Sequence, residues 1–320
     1  MQFKSNINGQ MSIVRKHTPV LLNRVLEVLD PCPGDVVIDG TADGGGHMWA
    51  ILEKMKFSGT YVAVDLDKDI LAETRMLVTT RLESLGLVTK GLKIFWIEGN
   101  YRDLPELLKS NGAVKADKFL LDLGFSSIQL VSGRGFSYKP EMAAEPLDMR
   151  YSTGKGITAA DVVNTLREDE LADIVWRYGE ERFSRRVAKQ IVTRRASGRI
   201  LTVGELAECA KRAVPGHFRR GIKDVVSRTF QAFRIYVNGE LENLESILQT
   251  MPSLMKPGGR AAIISFHSLE DRMVKNVFRE MEKGNRAEII TKKPIVPDEL
   301  EAAENPRSRS SKLRAVLMKK

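Results

Sequence analysis

The sequence predicts an α/β fold in which a mostly parallel, doubly wound sheet is interrupted by an all-helical domain. In the first third of the chain, short apolar runs alternate with amphipathic segments. Residues 158–213 then contain helical patterns without a strand candidate, and an apolar run at 260–266 resumes the strand pattern. Apolar strands that alternate with helices form a parallel sheet covered on both faces.

The first strands and helices follow from local patterning. Four apolar runs predict buried strands, at residues 36–39, 61–65, 93–97 and 119–122. The segments between them have the apolar spacing of amphipathic helices, at residues 48–55, 70–85 and 104–109. Strands and helices therefore alternate regularly up to residue 122.

The middle of the chain is helical and rich in Arg and Lys. Thr202 and Glu205 have capping-box spacing and open a helix, while Gly179 is suited to close one. A long helical pattern follows from about 225 to 255, and Pro257-Gly258-Gly259 breaks it. We therefore expect a first part of the sheet domain at 1–135, an inserted helical domain at 136–225, and the second part of the sheet domain at 226–320, which ends in strand candidates at 288–290 and 313–318.

Composition and charge restrict the class of protein. The 320 residues are 42% hydrophobic and carry a net charge of +9, which favours a polyanionic partner. No apolar run reaches eighteen residues, so no membrane-spanning helix is expected. The only two cysteines, Cys32 and Cys209, lie far apart, which argues against a disulfide or zinc site and favours the cytoplasm. The basic N-terminus leaves organelle targeting open as an alternative.

A glycine-rich turn and two acids predict a nucleotide-type cofactor site. The turn, residues 39–47, follows the first strand, and Asp65 ends the second, where its carboxylate can accept hydrogen bonds from ribose hydroxyls. Asp122 ends the fourth strand, at the crevice where such sheets bind ligands. The turn lacks G-x-G-x-x-G spacing, which favours S-adenosylmethionine over NAD. The alternative is that the glycines only make a turn and the acids only cap helices.

Several sequence blocks resemble the ribosomal RNA small-subunit methyltransferase H family, the MraW methylases. They lie in the same order as in the family, from residue 16 to the C-terminus. The blocks include His17-Thr18-Pro19-Val20-Leu21, Gly45-Gly46-His47, Leu120-Leu121-Asp122-Leu123-Gly124, Arg134-Gly135-Phe136-Ser137, Pro146-Leu147-Asp148-Met149-Arg150, Tyr178-Gly179-Glu180-Glu181, Arg228-Thr229-Phe230-Gln231-Ala232, Ser265-Phe266-His267-Ser268-Leu269-Glu270-Asp271-Arg272 and Asn305-Pro306-Arg307.

The resemblance implies a Rossmann-like class I S-adenosylmethionine-dependent methyltransferase sheet with an inserted helical domain. The implied reaction is N4-methylation of a decoding-centre cytidine in 16S-type ribosomal RNA, within the small ribosomal subunit and away from membranes; a homodimer stays open. The implied cofactor contacts are Gly45, Gly46, His47, Asp65, Tyr101, Asp122 and Gln129.

The chain departs from the family pattern at three positions. Asp43 stands where the family usually has Gly, and Tyr101 replaces a frequent Phe. Tyr151-Ser152 stands where Met-Asp is common, so the substrate pocket can differ from that of other members.

The implied chemistry needs positioning more than a strong base. Cytidine N4 is a poor nucleophile, and holding it in line with the methyl group can contribute roughly 7–11 kcal/mol. Asp122 is the candidate proton acceptor, with His267 a distant second. Arg134 and Phe136 are candidates to clamp a base turned out of its stack, although Phe136 can equally be core. No ligand cluster typical of a metal is visible, so we expect no metal.

Three rival functions remain compatible with the sequence. A nicotinamide-dependent oxidoreductase would use a similar sheet, and a non-catalytic RNA-binding assembly factor would not need Asp122. A methyltransferase could also act on a different RNA, on DNA or on a protein.

Overall fold

A computed structural model describes residues 19–87, 91–130, 132–152, 154 and 156–319. The basic N-terminal segment, with the family-like residues His17 and Thr18, lies outside these described residues.

The centre of the fold is a seven-stranded sheet in the order β3-β2-β1-β4-β5-β7-β6. The strands are β1 (Val36–Asp39), β2 (Gly59–Asp65), β3 (Leu92–Glu98), β4 (Ala116–Asp122), β5 (Met255–Ser265), β6 (Ala287–Ile289) and β7 (Lys312–Met318). Strands β1 to β5 are parallel, and β7 runs antiparallel to both β5 and β6. The predicted α/β fold with a Rossmann-like sheet is confirmed.

The helices surround this sheet and form the insertion. They are α1 (Leu22–Leu29), α2 (Gly46–Lys54), α3 (Lys68–Ser84), α4 (Leu104–Ser110), α5 (Ser127–Leu130), α6 (Ala159–Thr165), α7 (Glu168–Gly179), α8 (Ser184–Arg195), α9 (Val203–Arg212), α10 (Ile222–Asn238), α11 (Glu240–Leu254), α12 (Ser268–Lys283) and α13 (Glu299–Glu304). Short 3-10 turns lie at Tyr101–Asp103, Pro140–Met142, Gly216–Gly221 and Pro306–Ser310.

Each face of the sheet is covered by its own set of helices. Phe119 of β4 packs with α4, α11 and α12, whereas its neighbour Leu120 packs on the opposite face with α1, α2 and α3. Successive side chains of a strand point to opposite faces, so a continuous apolar run builds both cores. The result fixes the carboxyl ends of β1, β2 and β4 side by side at one edge, where Asp39 lies opposite Ala63 and Leu120.

The insertion has a separate apolar core. Helices α6 to α10 contribute to it, with Leu171, Ile191, Leu206 and Phe233 almost fully buried. Thr202 opens α9 with the capping box expected from the sequence, and α7 ends at Gly179. The expected domain boundary between residues 225 and 226 falls inside α10, which packs with the insertion. The domain boundaries themselves stay a prediction.

The prediction of one long helix over residues 225–255 is wrong in one respect. The segment is divided into α10 and α11 at Gly239, whose φ of 59° is left-handed. Helix α11 ends at Leu254, and β5 begins at Met255, so Pro257 lies within the first residues of the strand and does not break the helix. A glycine at the end of α10 accommodates this backbone conformation without a Cβ clash.

No helix within the described part of the chain combines the length and apolar character needed to cross a membrane.

We expect Gly239→Ala to destabilise the protein by about 1–2 kcal/mol, because an L-residue strains in the left-handed conformation. A Cβ at Gly239 meets nothing closer than 3.9 Å, so the cost comes from the backbone alone. Gly216→Ala is the matched control, since a Cβ there meets nothing within 4 Å and no left-handed φ is involved. Urea unfolding measures both variants; equal stabilities would contradict the prediction.

Candidate functional site

A cavity of about 540 Å³ lies at the carboxyl ends of the parallel strands. One side is lined by residues that follow β1, β2, β3 and β4, and the other by residues of α10, α11, the start of α12 and the segment before β7. The cavity therefore lies at the crevice where doubly wound sheets bind their ligands.

The turn after β1 forms one wall and is closely packed. A Cβ at Gly40 would lie 2.5 Å from Leu121 Cδ2 and 3.1 Å from Tyr101 Cβ, so a larger residue there would require these side chains to shift. Thr41 Oγ1 accepts a hydrogen bond of 2.7 Å from the Asp122 backbone N–H, which joins the turn to the end of β4. Asp39 accepts a 2.7 Å hydrogen bond from the Tyr61 hydroxyl. Burial raises the pKa of Asp39 to about 6, despite this bond.

Gly45, Gly46 and His47 stand behind this wall. Gly45 is the N-cap of α2, and Gly46 is its first residue. The His47 ring is buried; its Nε2 lies 2.9 Å from the Val20 carbonyl oxygen, and its Nδ1 lies 3.6 Å from Asp122 Oδ2. The described residues that line the cavity include Asp65 and Asp122. Gly45, Gly46 and His47 are not among them, so their contact with the cofactor stays a prediction.

Asp65 is held at the tip of β2 by backbone groups. Its Oδ2 accepts a 3.0 Å hydrogen bond from Asp43 N–H, and its Oδ1 accepts a 2.9 Å bond from Asp67 N–H. Burial nevertheless raises the pKa of Asp65 to about 7, and the charge of Asp43 adds to this effect. Each carboxylate oxygen retains a second lone pair, so Asp65 can still accept ribose hydroxyls.

The departure at Asp43 has a backbone explanation. Its φ of 39° lies in the left-handed region, where glycine is unstrained and Asp is among the best-tolerated alternatives. The backbone of the turn is therefore retained, while one more carboxylate lines the cavity.

Asp122 is the most unusual acid of the cavity. Its Oδ1 is buried without a hydrogen-bond partner among the described residues. Burial first, and then the charges of Asp43 and Asp39, raise the pKa of Asp122 well above its ordinary value. Strongly perturbed acids in a cleft are typical of functional sites, because a raised pKa suits proton acceptance near neutral pH.

Tyr101 and Gln129 complete this side of the cavity. Burial raises the pKa of the Tyr101 hydroxyl, with Glu240 and Glu270 adding to the effect. Gln129 Oε1 accepts a 2.9 Å hydrogen bond from Ser126 N–H, and Gln129 Nε2 donates to Asp67 over 3.4 Å. Tyr101, Gln129, Asp65 and Asp122 are thus the predicted cofactor residues that the fold brings together around one space.

Arg134 and Phe136 both make contacts within the fold. Arg134 pairs with Asp67 at 2.7 Å and donates a 2.8 Å hydrogen bond to the Tyr151 carbonyl oxygen, so its guanidinium ties two loops together. Phe136 is only 7% exposed and forms the middle ring of a stack, 5.7 Å from Phe125 and 5.6 Å from Tyr151. The outer rings, Phe125 and Tyr151, line the cavity instead. A direct substrate contact by Arg134 or Phe136 stays a prediction.

A buried ion pair that the sequence did not reveal lies beside these rings. Arg234 binds both oxygens of Glu240, at 2.8 and 2.9 Å, and Glu240 also accepts a 2.9 Å bond from the Tyr151 hydroxyl. Although burial opposes it, Glu240 raises the pKa of Arg234. The guanidiniums of Arg234 and Arg307 lie 4.9 and 5.4 Å from the centre of the Phe125 ring. Phe125, Tyr151 and Arg307 are distant in sequence from this pair, so no local spacing could have predicted their contact with it.

His267 lines the cavity and caps α12. Its Nδ1 accepts a 3.4 Å hydrogen bond from Glu270 N–H; its Nε2 lies 3.2 Å from Glu270 Oε1 but makes no hydrogen bond among the described residues. Ligand atoms of Glu240, His267 and Glu270 lie within 4.8 Å of one another, an arrangement able to hold a metal ion. Glu240 is already occupied by Arg234, whose positive charge opposes a cation there.

The comparisons with known proteins agree on one family. The model of the MraW methylase family matches residues 14–319. Ribosomal RNA small subunit methyltransferase H of Kosmotoga olearia is 44% identical, and the match covers 93% of this chain and 96% of that protein. Its namesake from Deinococcus deserti is 47% identical, covering 93% and 92%, and the one from Syntrophotalea carbinolica is 41% identical, covering 95% and 98%.

Breaking the buried pair should be costly. Arg234→Met leaves Glu240 charged and buried, and we expect a loss of about 3 kcal/mol in the free energy of unfolding. The double variant Arg234→Met with Glu240→Gln should lose less than the sum of the two single variants. Arg212→Gln removes the exposed Arg212–Glu208 pair and is the matched control, with an expected cost below about 0.5 kcal/mol. Additive effects in urea unfolding would show that the two side chains are not coupled.

Cofactor affinity should rise with pH through Asp65. Its carboxyl must lose its proton to accept two ribose hydroxyls, so with a pKa of about 7 the affinity for S-adenosylhomocysteine should increase about tenfold from pH 6 to pH 8. Asp65→Asn should bind more weakly and lose this dependence. Calorimetric titration measures both; an unchanged slope in the variant would assign the titration to another group.

Proposed function

The chain belongs to the MraW methylase family, and we propose that it transfers a methyl group from S-adenosylmethionine to the exocyclic N4 of a decoding-centre cytidine in small-subunit ribosomal RNA. Support for the RNA comes from the relatives, which are named ribosomal RNA small subunit methyltransferase H. Support for an amine acceptor comes from Asp122, whose raised pKa and unpartnered Oδ1 suit a proton acceptor. The choice of cytidine N4 and of the decoding centre rests on the family resemblance, and cytoplasmic action follows from such a substrate.

The charge of the cavity fits a cationic methyl donor. The lining includes Asp43, Asp65 and Asp122, three carboxylates that would repel the diphosphate of a dinucleotide. Asp65 lies at the strand tip where ribose hydroxyls are bound in such folds. The donor supplies an electrophilic methyl group on a positively charged sulfur. The wall of Gly45, Gly46 and His47 supports this side, with Tyr101 and Gln129 beside it.

Asp122 receives the amine proton in this proposal. The N4 proton becomes acidic only as the new bond forms, so an acceptor of moderate basicity suffices. Asp122 stands at the end of β4 between the carboxylate side of the cavity and the aromatic side. The remaining task of the protein is to hold the amine in line and to exclude water.

The aromatic side of the cavity is suited to a flat base. Phe125 and Tyr151 offer ring surfaces, and Arg234 and Arg307 offer hydrogen-bond donors near the Phe125 ring. Bases read in structured RNA are splayed out and held by such rings and guanidiniums. The inserted helical domain, predicted at 136–225, would bring the RNA to this side through its exposed cations.

The central experiment incubates the purified protein with methyl-labelled S-adenosylmethionine and either small ribosomal subunits or free 16S-type RNA. We expect label in N4-methylcytidine after digestion to nucleosides and mass analysis. Label in another nucleoside, in DNA or only in protein would reject the specific reaction. Absence of any transfer, with tight binding to subunits, would favour a non-catalytic assembly factor.

Removing the Asp122 carboxylate should affect the chemical step. Asp122→Asn should lower kcat by roughly 10²- to 10⁴-fold, the usual contribution of a positioned proton acceptor. The Kd for S-adenosylhomocysteine should change far less. Asp43→Gly is the comparison variant: it removes a carboxylate that raises the pKa of Asp122 while favouring the same backbone conformation, so it should lower kcat far less than Asp122→Asn. A variant Asp122→Asn with unchanged kcat at saturating substrate would exclude Asp122 as the acceptor.

A further inference from the structure

Four side chains of the insertion form an exposed cluster, which we call the aromatic platform: Arg182, Phe183, His217 and Phe218. The guanidinium of Arg182 lies 4.7 Å from the centre of the Phe183 ring and 4.3 Å from that of Phe218. The Phe183 and Phe218 rings are 5.6 Å apart, and the His217 ring lies 4.4 Å from Phe218. Arg182 therefore lies against both rings, which holds the cluster in one arrangement.

The aromatic platform is open to solvent although it contains apolar rings. Phe218 is 38% exposed, and Arg182 and His217 are exposed as well. Within the described residues, Arg182 makes no ion pair. Phe183 is partly buried and packs against the insertion core, whereas Phe218, Arg182 and His217 are not part of that core.

The surroundings of the aromatic platform are positively charged. Four exposed cations make no ion pair within the described residues. They lie on α8 and around the 3-10 turn at Gly216–Gly221: Arg185, Lys189, Arg220 and Lys223. The two acids that directly precede Arg182 are already engaged. Glu180 binds Arg272 at 2.9 Å, and the buried Glu181 binds Arg228 at 3.2 Å. The net field at this surface therefore attracts a polyanion.

The aromatic platform also lies near the cavity. The Tyr178 carbonyl oxygen accepts a 3.0 Å hydrogen bond from Gln231 Nε2, and Gln231 lines the cavity. The chain from Tyr178 to Phe183 spans at most about 17 Å. A nucleic acid strand that leaves the cavity can therefore reach the platform without needing another binding surface in between.

We propose that the aromatic platform binds an unpaired base of the same RNA, outside the target nucleotide, by stacking on Phe218 and Arg182. Stacking of bases on rings and guanidiniums tolerates any base identity, and the nearby cations bind the phosphates on either side. The proposal rests on the proposed RNA substrate, but it concerns binding and not the chemistry of transfer.

The test compares variants of the aromatic platform with matched variants elsewhere on the insertion. Phe218→Ala removes the exposed ring, and its control Leu201→Ala removes an exposed apolar side chain of the same domain. Arg182→Gln removes one cation, and its control Arg199→Gln removes an exposed cation that pairs with Asp161. Filter binding measures the Kd for small ribosomal subunits at several KCl concentrations, with the Kd for S-adenosylhomocysteine as a check on folding.

We expect Phe218→Ala to weaken subunit binding about tenfold, as for loss of one stacked base, without changing the salt dependence. Phe218→Tyr should retain binding. Arg182→Gln should weaken binding and lower the slope of log Kd against log salt by about 0.7. Both controls should stay within about twofold of the wild type.

Two failures are distinguishable. If the wild type transfers no methyl group to RNA, the proposed function fails, while the binding measurements still decide the role of the platform. If the wild type methylates RNA but Phe218→Ala and Arg182→Gln bind subunits as well as Leu201→Ala and Arg199→Gln, the platform is not an RNA-binding surface and the inference is wrong.

Discussion

Repulsion and desolvation of carboxylates at one edge of the sheet dominate the structure of the site. Parallel strands bring Asp39, Asp65 and Asp122 to the same edge, and the turn adds Asp43. The fold compensates two of them locally, with the Tyr61 hydroxyl for Asp39 and two backbone N–H groups for Asp65. Asp122 keeps a buried oxygen without such compensation among the described residues. The unfavourable burial of charge is thus concentrated on Asp122, the proposed proton acceptor.

The opposite wall depends on contacts between the insertion and the sheet domain. Asn238, at the end of α10, donates from its side chain to the Met149 carbonyl oxygen and accepts from Tyr151 N–H. Glu180 follows α7 and binds Arg272 of α12. The aromatic side of the cavity is therefore assembled only when the helical insertion is docked.

Much of this architecture is predictable from local patterns. All seven strands correspond to apolar runs, and the expected end of β4 at Asp122 is confirmed. The break at Gly239 was missed because apolar spacing continues through it, and only the left-handed backbone reveals it. The roles expected of Arg134 and Phe136 came from their residue types, which suit a base clamp. Their buried partners, Asp67 and the neighbouring rings, are set by tertiary contacts that no spacing encodes.

The negative charge of the cavity also couples the binding of the cationic cofactor to the pKa of Asp122, the proposed proton acceptor. A cation bound beside Asp122 lowers its pKa, and by thermodynamic linkage a charged Asp122 binds that cation more tightly. Asp43 strengthens this coupling, because its carboxylate raises the pKa of Asp122 when no cation is near. In the proposed transfer the positive charge would pass to the amine, so Asp122 would face the cation that has to lose its proton. At that stage the methylated amine is most acidic. The crowding of carboxylates that disfavours the charged form of Asp122 in the free protein therefore favours protonation of Asp122 when the amine proton has to leave.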